Sequence, residues 1–126
     1  MKKKIRQIVV EGQTYEYLLN HHFVNGQSIN VLKVFWEGKK IAPLLVTFLT
    51  WNDPIGGSPL ATGVELYHHR SGVSEIYNLN YPKIVRAWIL HGLESGWTGK
   101  ETWEIEDALS TMTDMGYEAQ WLRPKA

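Results

Sequence analysis

The run "YEYLLNHHF", residues 15–23, lies between the turn signals "EGQT" and "NGQS" and constrains the fold more than any other stretch. Alternate side chains of a strand point to opposite faces. Read as a strand, Tyr15, Tyr17, Leu19, His21 and Phe23 share one face, and Glu16, Leu18, Asn20 and His22 the other. Gly12 supports a tight turn before the run, and the Asn25-Gly26 pair after it is typical of hairpins. With "KIRQIVV" ahead of it, the opening reads strand–turn–strand–turn, which builds an antiparallel sheet.

The pattern continues. "INVLKVFWEGKKIAPLLVTFLTW" reads as a third and a fourth strand around "EGKK". The fourth is apolar on both faces over Leu44–Phe48, as in a strand covered from both sides. A second subunit could supply one of those covers, so homodimerisation is expected. Residues 52–63, "NDPIGGSPLATG", form the longest stretch without a pattern, a loop by composition. "VELYHHR" and "VSEIYNL" form a hairpin through Ser71-Gly72. "YPKIVRAWILHGLESGW" is the clearest helix. Pro82 suits its first turn, Asn80 or Tyr81 its cap, and Gly96 its stop. Ile84, Val85, Trp88, Ile89, Gly92 and Leu93 make one apolar stripe, and Leu90 falls on the polar side. In the tail, "TWEI" reads as a strand rather than a helix begun by a Thr98–Glu101 capping box. Asp107 can cap a short helix carrying Ala108, Leu109, Met112 and Met115, which Gly116 ends. Tyr117 to Leu122 then returns extended. The expected fold is α+β in a single domain, 1–126. It has a mainly antiparallel sheet of about six strands with one main helix, about 82–96, packed on a face. A short C-terminal helix and an edge strand complete it.

Three of these pieces, "IVVEGQTYEYLL", "YPKIVRAWILHGLESGW" and "TWEIED", together resemble a small bacterial family of uncharacterised α+β domains. Two positions depart from that family's pattern. Tyr81 stands where it places Thr before the proline, and Thr98-Gly99 stands where it places a proline after the Gly-Trp pair. The resemblance implies the fold and brings no activity or cofactor with it.

Bulk properties restrict the function. Thirteen basic and thirteen acidic residues give a net charge of zero, so a general polyanion-binding role, and with it nucleic acid, loses ground. The charge is uneven along the chain: residues 1–40 hold seven basic and three acidic groups, with Lys2, Lys3, Lys4 and Arg6 as a candidate basic edge. No cysteine is present, which removes disulfides, thiolate metal sites and cysteine catalysis. The apolar run after the basic start is too short for a signal peptide, and no window reaches the ~20 apolar residues of a membrane helix. A cytoplasmic location without a membrane partner is the expectation.

Five histidines, four of them in the doublets His21-His22 and His68-His69, invite a metal or acid–base reading. Strand alternation works against it, because adjacent rings point to opposite faces. A shared site would take one ring from each doublet, His22 and His69, with Glu16 or Glu65 as carboxylate. It requires the two strands to be neighbours. The plainer reading is histidines on sheet faces. Ser58 in "GGSPL" lacks the setting of a nucleophile elbow, and "IGGSP" lacks the ending of a phosphate loop. Glu104, Glu106 and Asp107 suit a helix start.

Six tryptophans and six tyrosines are many for this length. Most sit within apolar runs and read as core. Trp51 and Trp97 stand at element boundaries, and together with Leu90 and Asp53 of the long loop they are the candidate interaction-surface residues. No catalytic residue and no cofactor is indicated. The expected function is a non-catalytic protein-binding or regulatory module. The alternatives are a small metal-dependent or acid–base hydrolase using the histidine doublets, and a small-ligand domain with an aromatic-lined pocket.

Overall fold

A computed structural model describes residues 5–37 and 41–124 of the protein. Lys2, Lys3 and Lys4 of the candidate basic edge, and Gly38, Lys39 and Lys40 of the "EGKK" turn, lie outside these residues. The elements in chain order are β1 (Arg6–Val10), β2 (Gln13–Val24), β3 (Gln27–Trp36), β4 (Leu44–Trp51), α1 (Pro59–Thr62), β5 (Val64–His68), β6 (Val73–Tyr77), α2 (Pro82–Ser95), β7 (Trp103–Ile105) and α3 (Ala108–Asp114). A single 3-10 turn, Gln120–Leu122, follows.

Strands β1 to β4 form an antiparallel meander, as the opening alternation predicts. Two of its turns are set by residues with positive φ. Glu11 and Gly12 have φ of 50° and 79°, and Asn25 and Gly26 have 51° and 77°. Both pairs match the mirror-image turns whose twist suits a hairpin.

Beyond β4 the architecture departs from the expectation. The sheet has five strands in the order β1-β2-β3-β4-β7 and is mixed, because β7 pairs with β4 in parallel. The hairpin β5–β6 forms a second, two-stranded sheet. The single sheet of about six strands is thereby corrected. The physical reason lies in where the hairpin's apolar side chains go. Leu66 and Tyr77 are turned into the shared core, and the Trp88 indole N–H of α2 donates to the Tyr77 hydroxyl at 2.8 Å. The hairpin therefore serves as part of the second layer, and the edge of β4 is left for β7.

The second layer meets the five-stranded sheet on one face, here called the inner face. Trp88 packs edge-on against Phe48 with ring centroids 5.3 Å apart. A methyl group added at Gly92 would come within 2.8 Å of the Leu44 side chain, so the missing Cβ lets α2 lie close to β4. Leu109 and Met112 of α3 join the same core. Every fully buried apolar side chain of the large sheet, from Val10, Tyr15 and Tyr17 through Leu32 and Val34 to Leu44, Val46 and Phe48, is on this face.

Two loop readings also change. The 52–63 stretch holds a short helix, α1, whose Leu60 is fully buried. Tyr117 makes one bridge to His68, and the chain then enters the 3-10 turn instead of extending to Leu122. The helix over 82–95 and the Asp107-capped helix follow the sequence reading closely.

Candidate functional site

The opposite, outer face of the large sheet is the most unusual surface of the molecule. Its residues follow from the strand registers. In successive rows across β2, β3 and β4 it presents Leu18, Lys33 and Leu45; Asn20, Val31 and Thr47; His22, Ile29 and Leu49; and Val24, Gln27 and Trp51. Phe35 and Val9 extend the apolar surface at the β1 end, and Glu104 of β7 stands beside Leu45. None of its apolar side chains is fully buried. Val9 is 64% exposed, Val24 46% and Leu49 39%. An apolar β-strand face is normally covered by another layer. The sequence placed covers on both faces of β4, yet the described residues cover only one.

Asn20 sits within this face. It is 5% exposed, and its amide oxygen Oδ1 has no hydrogen-bond partner among the described residues. A buried acceptor left unpaired costs about 1–3 kcal/mol. Alternation of side chains along β2 assigned Asn20 to this face from sequence, but nothing in the sequence showed that its amide would be shielded by its strand neighbours.

At the β2–β3 turn the outer face runs into an aromatic ridge. Trp51, at the end of β4, packs against Trp121 of the 3-10 turn with ring centroids 6.0 Å apart. Trp51 Nε1 donates to the Trp121 carbonyl at 3.2 Å, and Trp121 Nε1 donates to the Glu118 carbonyl at 2.9 Å. Both indole donors are thus occupied, and Trp121 still exposes half its surface. A cleft of about 520 Å³ borders the pair, lined also by Asn25, Gln27 and Arg123. Trp51 was legible as a boundary tryptophan. Trp121 was not, because its pairing depends on a tertiary contact between the C-terminus and β4.

The other sequence candidates separate. Trp97 is not a surface residue. It is 2% exposed, its N–H donates to the Ala42 carbonyl at 3.0 Å, and its ring packs with Tyr15 and Trp36. Asp53 is exposed and closes a turn by accepting the N–H groups of Ile55 and Gly56 at 2.8 and 3.1 Å. Those two bonds hold its carboxyl below the usual carboxylate range. Leu90 lines a cleft of about 480 Å³ between α2, the β5 end and α3. Ser58 is buried, and its hydroxyl accepts from Asn30 Nδ2 at 2.6 Å.

The histidine doublets do not share a site. His22 lies on the outer face of β2, while His69 follows β5 in the other sheet, so the neighbouring strands that a joint site requires do not exist. Glu118 meets His69 at 3.2 Å, and Tyr67 stacks edge-on against it. His68 turns instead to the Met115 carbonyl at 3.0 Å, with its Nδ1 accepting the Ser71 N–H at 3.3 Å. His21 faces Ser28 across the inner side. His91 lines the Leu90 cleft with His68, but the ring nitrogens of His68 are already engaged. Among the described residues no group of three or more His, Asp or Glu side chains is arranged to hold a metal ion. No helix among them is long and apolar enough to cross a membrane.

Comparison of the chain with protein-family models, with curated proteins and with solved structures finds no match.

Proposed function

We propose that the protein is a non-catalytic protein-binding module whose docking surface is the outer face of the five-stranded sheet. The observation that carries this reading is the asymmetry of β3 and β4. Both faces are largely apolar, but among the described residues only the inner one is covered. On monomeric proteins the largest apolar patch is commonly ~300–600 Å² and often functional. Trp51 and Trp121, at one end of the face, are the residue type most often found as interface anchors.

Photo-cross-linking tests the reading. A photoreactive side chain at Val31 samples the face, and one at Lys83, on the exposed side of α2, serves as control. In the cells from which the chain comes, Val31 is expected to give discrete adducts with polypeptide and Lys83 none. Equal, background labelling at both positions would sink the proposal.

A second reading has its own observation, the cleft beside the Trp51–Trp121 pair. Two indole faces with satisfied N–H groups suit a flat or ring-shaped small ligand. Tryptophan fluorescence titrated with a metabolite library checks it. The response is expected in the wild type and lost in Trp121→Ala, and a flat response throughout removes it.

A further inference from the structure

We infer that the partner covering the outer face is a second copy of the same chain, packed sheet against sheet about a two-fold axis. This rests on the docking reading above and names its occupant. Three observations point to self-association.

The first is size. At ~3.3 Å per residue and ~4.8 Å between strands, the five strands span on the order of 600 Å². Side chains corrugate that footprint, so its accessible area approaches the ~800 Å² that each partner contributes to a stable interface. An isologous interface uses the same patch twice, so a single open face is enough to complete the assembly.

The second is charge. The chain carries no net charge, so two copies do not repel at long range. The face itself carries both signs. Lys33 and Glu104 occupy one row, on either side of Leu45, and Glu16 lies one row away beside Phe35. A surface of mixed sign is compatible with its own copy. A strongly basic or acidic partner would find no matching field there.

The third is Asn20. Its side chain is buried in the face with an unpaired acceptor. An amide is both donor and acceptor. In the single chain that oxygen is shielded from solvent; once the amides of two copies turn toward a shared two-fold axis, each can donate its Nδ2 to the other's Oδ1. With the axis crossing the strands at the row of Asn20, Val31 and Thr47, Leu45 of one copy falls over Leu49 of the other. Facing sheets cross at about 30°, so this alignment is that of the row centre.

Sedimentation of the full chain, from low-micromolar to several hundred micromolar, tests the inference together with the Val31 cross-link. A concentration-dependent species of twice the chain mass is expected. Val31→Lys is expected to raise its dissociation constant at least ~10-fold, since a two-fold interface meets each substitution twice. Asn20→Asp, with circular dichroism checked for an intact fold, places like charges near the axis. It is expected to weaken the dimer at neutral pH and to restore it at acid pH. A chain that stays monomeric at the highest concentration overturns the inference. So does a Val31 adduct whose added mass is not one further chain, and that result leaves the protein-binding reading standing. Dimerisation unaffected by both Val31→Lys and Asn20→Asp also overturns it, by placing the interface elsewhere. Absence of any Val31 adduct is the separate result that removes the binding reading itself.

Discussion

Single residues fix several of the close contacts. Gly99 has φ of +80°, and a Cβ there would meet the Trp36 ring at 2.5 Å. Left-handed backbone costs a residue with a side chain ~1–2 kcal/mol, and overpacking adds ~1–3 kcal/mol. Gly99→Ala is therefore expected to destabilise by about 2–5 kcal/mol, read from urea denaturation. Tyr77 presents a different case. Burial pushes its hydroxyl far above the ordinary tyrosine range, and burial followed by the bond to Glu75 does the same for Tyr117. The unfolded chain releases these protons near pH ~10 while the folded one keeps them, so the native state binds more protons above that pH. Stability from both groups is full below pH ~10 and falls as pH rises past it. Absorbance of tyrosinate against pH, followed alongside circular dichroism, is expected to show these tyrosines ionising with unfolding. Ionisation in a folded chain would contradict the burial.

Elements depend on how local signals meet tertiary ones. In α3 the two agree. Asp107 accepts the Ser110 N–H at 3.3 Å as the cap, and Arg123 donates to its other oxygen at 3.0 Å. The Arg123 guanidinium, and then Ser110, hold the Asp107 carboxyl below its ordinary range. A depressed carboxyl contributes above the unfolded value, near pH ~3.9, and loses its contribution as pH falls toward the native one. Asp107→Ala is expected to cost about 1 kcal/mol at neutral pH and to flatten the loss of stability below pH ~4. The cap was readable from sequence because its reach is three residues. The pairing with Arg123 was not, since it joins residues held together only by the fold. The same distinction explains the sheet. Adjacent hairpins announce themselves through Glu11-Gly12, Asn25-Gly26 and strand alternation. The parallel pairing of β7 with β4 leaves no local mark, and neither does the separation of β5–β6 into its own sheet.

At the scale of the whole molecule, the two faces of one strand make opposite predictions. Val34, fully buried on the inner face, and Val31, half-buried on the outer one, are three residues apart in β3. Val34→Lys is expected to prevent folding, because it buries an unpaired charge. Val31→Lys is expected to shift the stability of the monomer by no more than about 0.5–1 kcal/mol. Thermal melts of the two variants at low protein concentration make the comparison. For the candidate surface, the doubly apolar run Leu44–Phe48 disclosed from sequence that both faces of β4 carry apolar side chains. Which face lacked a cover depended on where the second layer packed. Trp97 shows the limit of reading by position, because a boundary tryptophan can equally be drawn into the core, as its bond to Ala42 requires.

The parallel β4–β7 pair also sets an order of events during synthesis. Between the two strands the chain makes α1, the β5–β6 hairpin and α2. A nascent chain that has finished β1 to β4 holds three hairpin-linked partners, but the far edge of β4 has nothing beside it until Trp103–Ile105 emerges. Unpaired edges recruit foreign strands. The vulnerable side of the sheet is thus sealed only after α1, the hairpin and α2 have been made, and a chain cut short before β7 would expose that side to its neighbours.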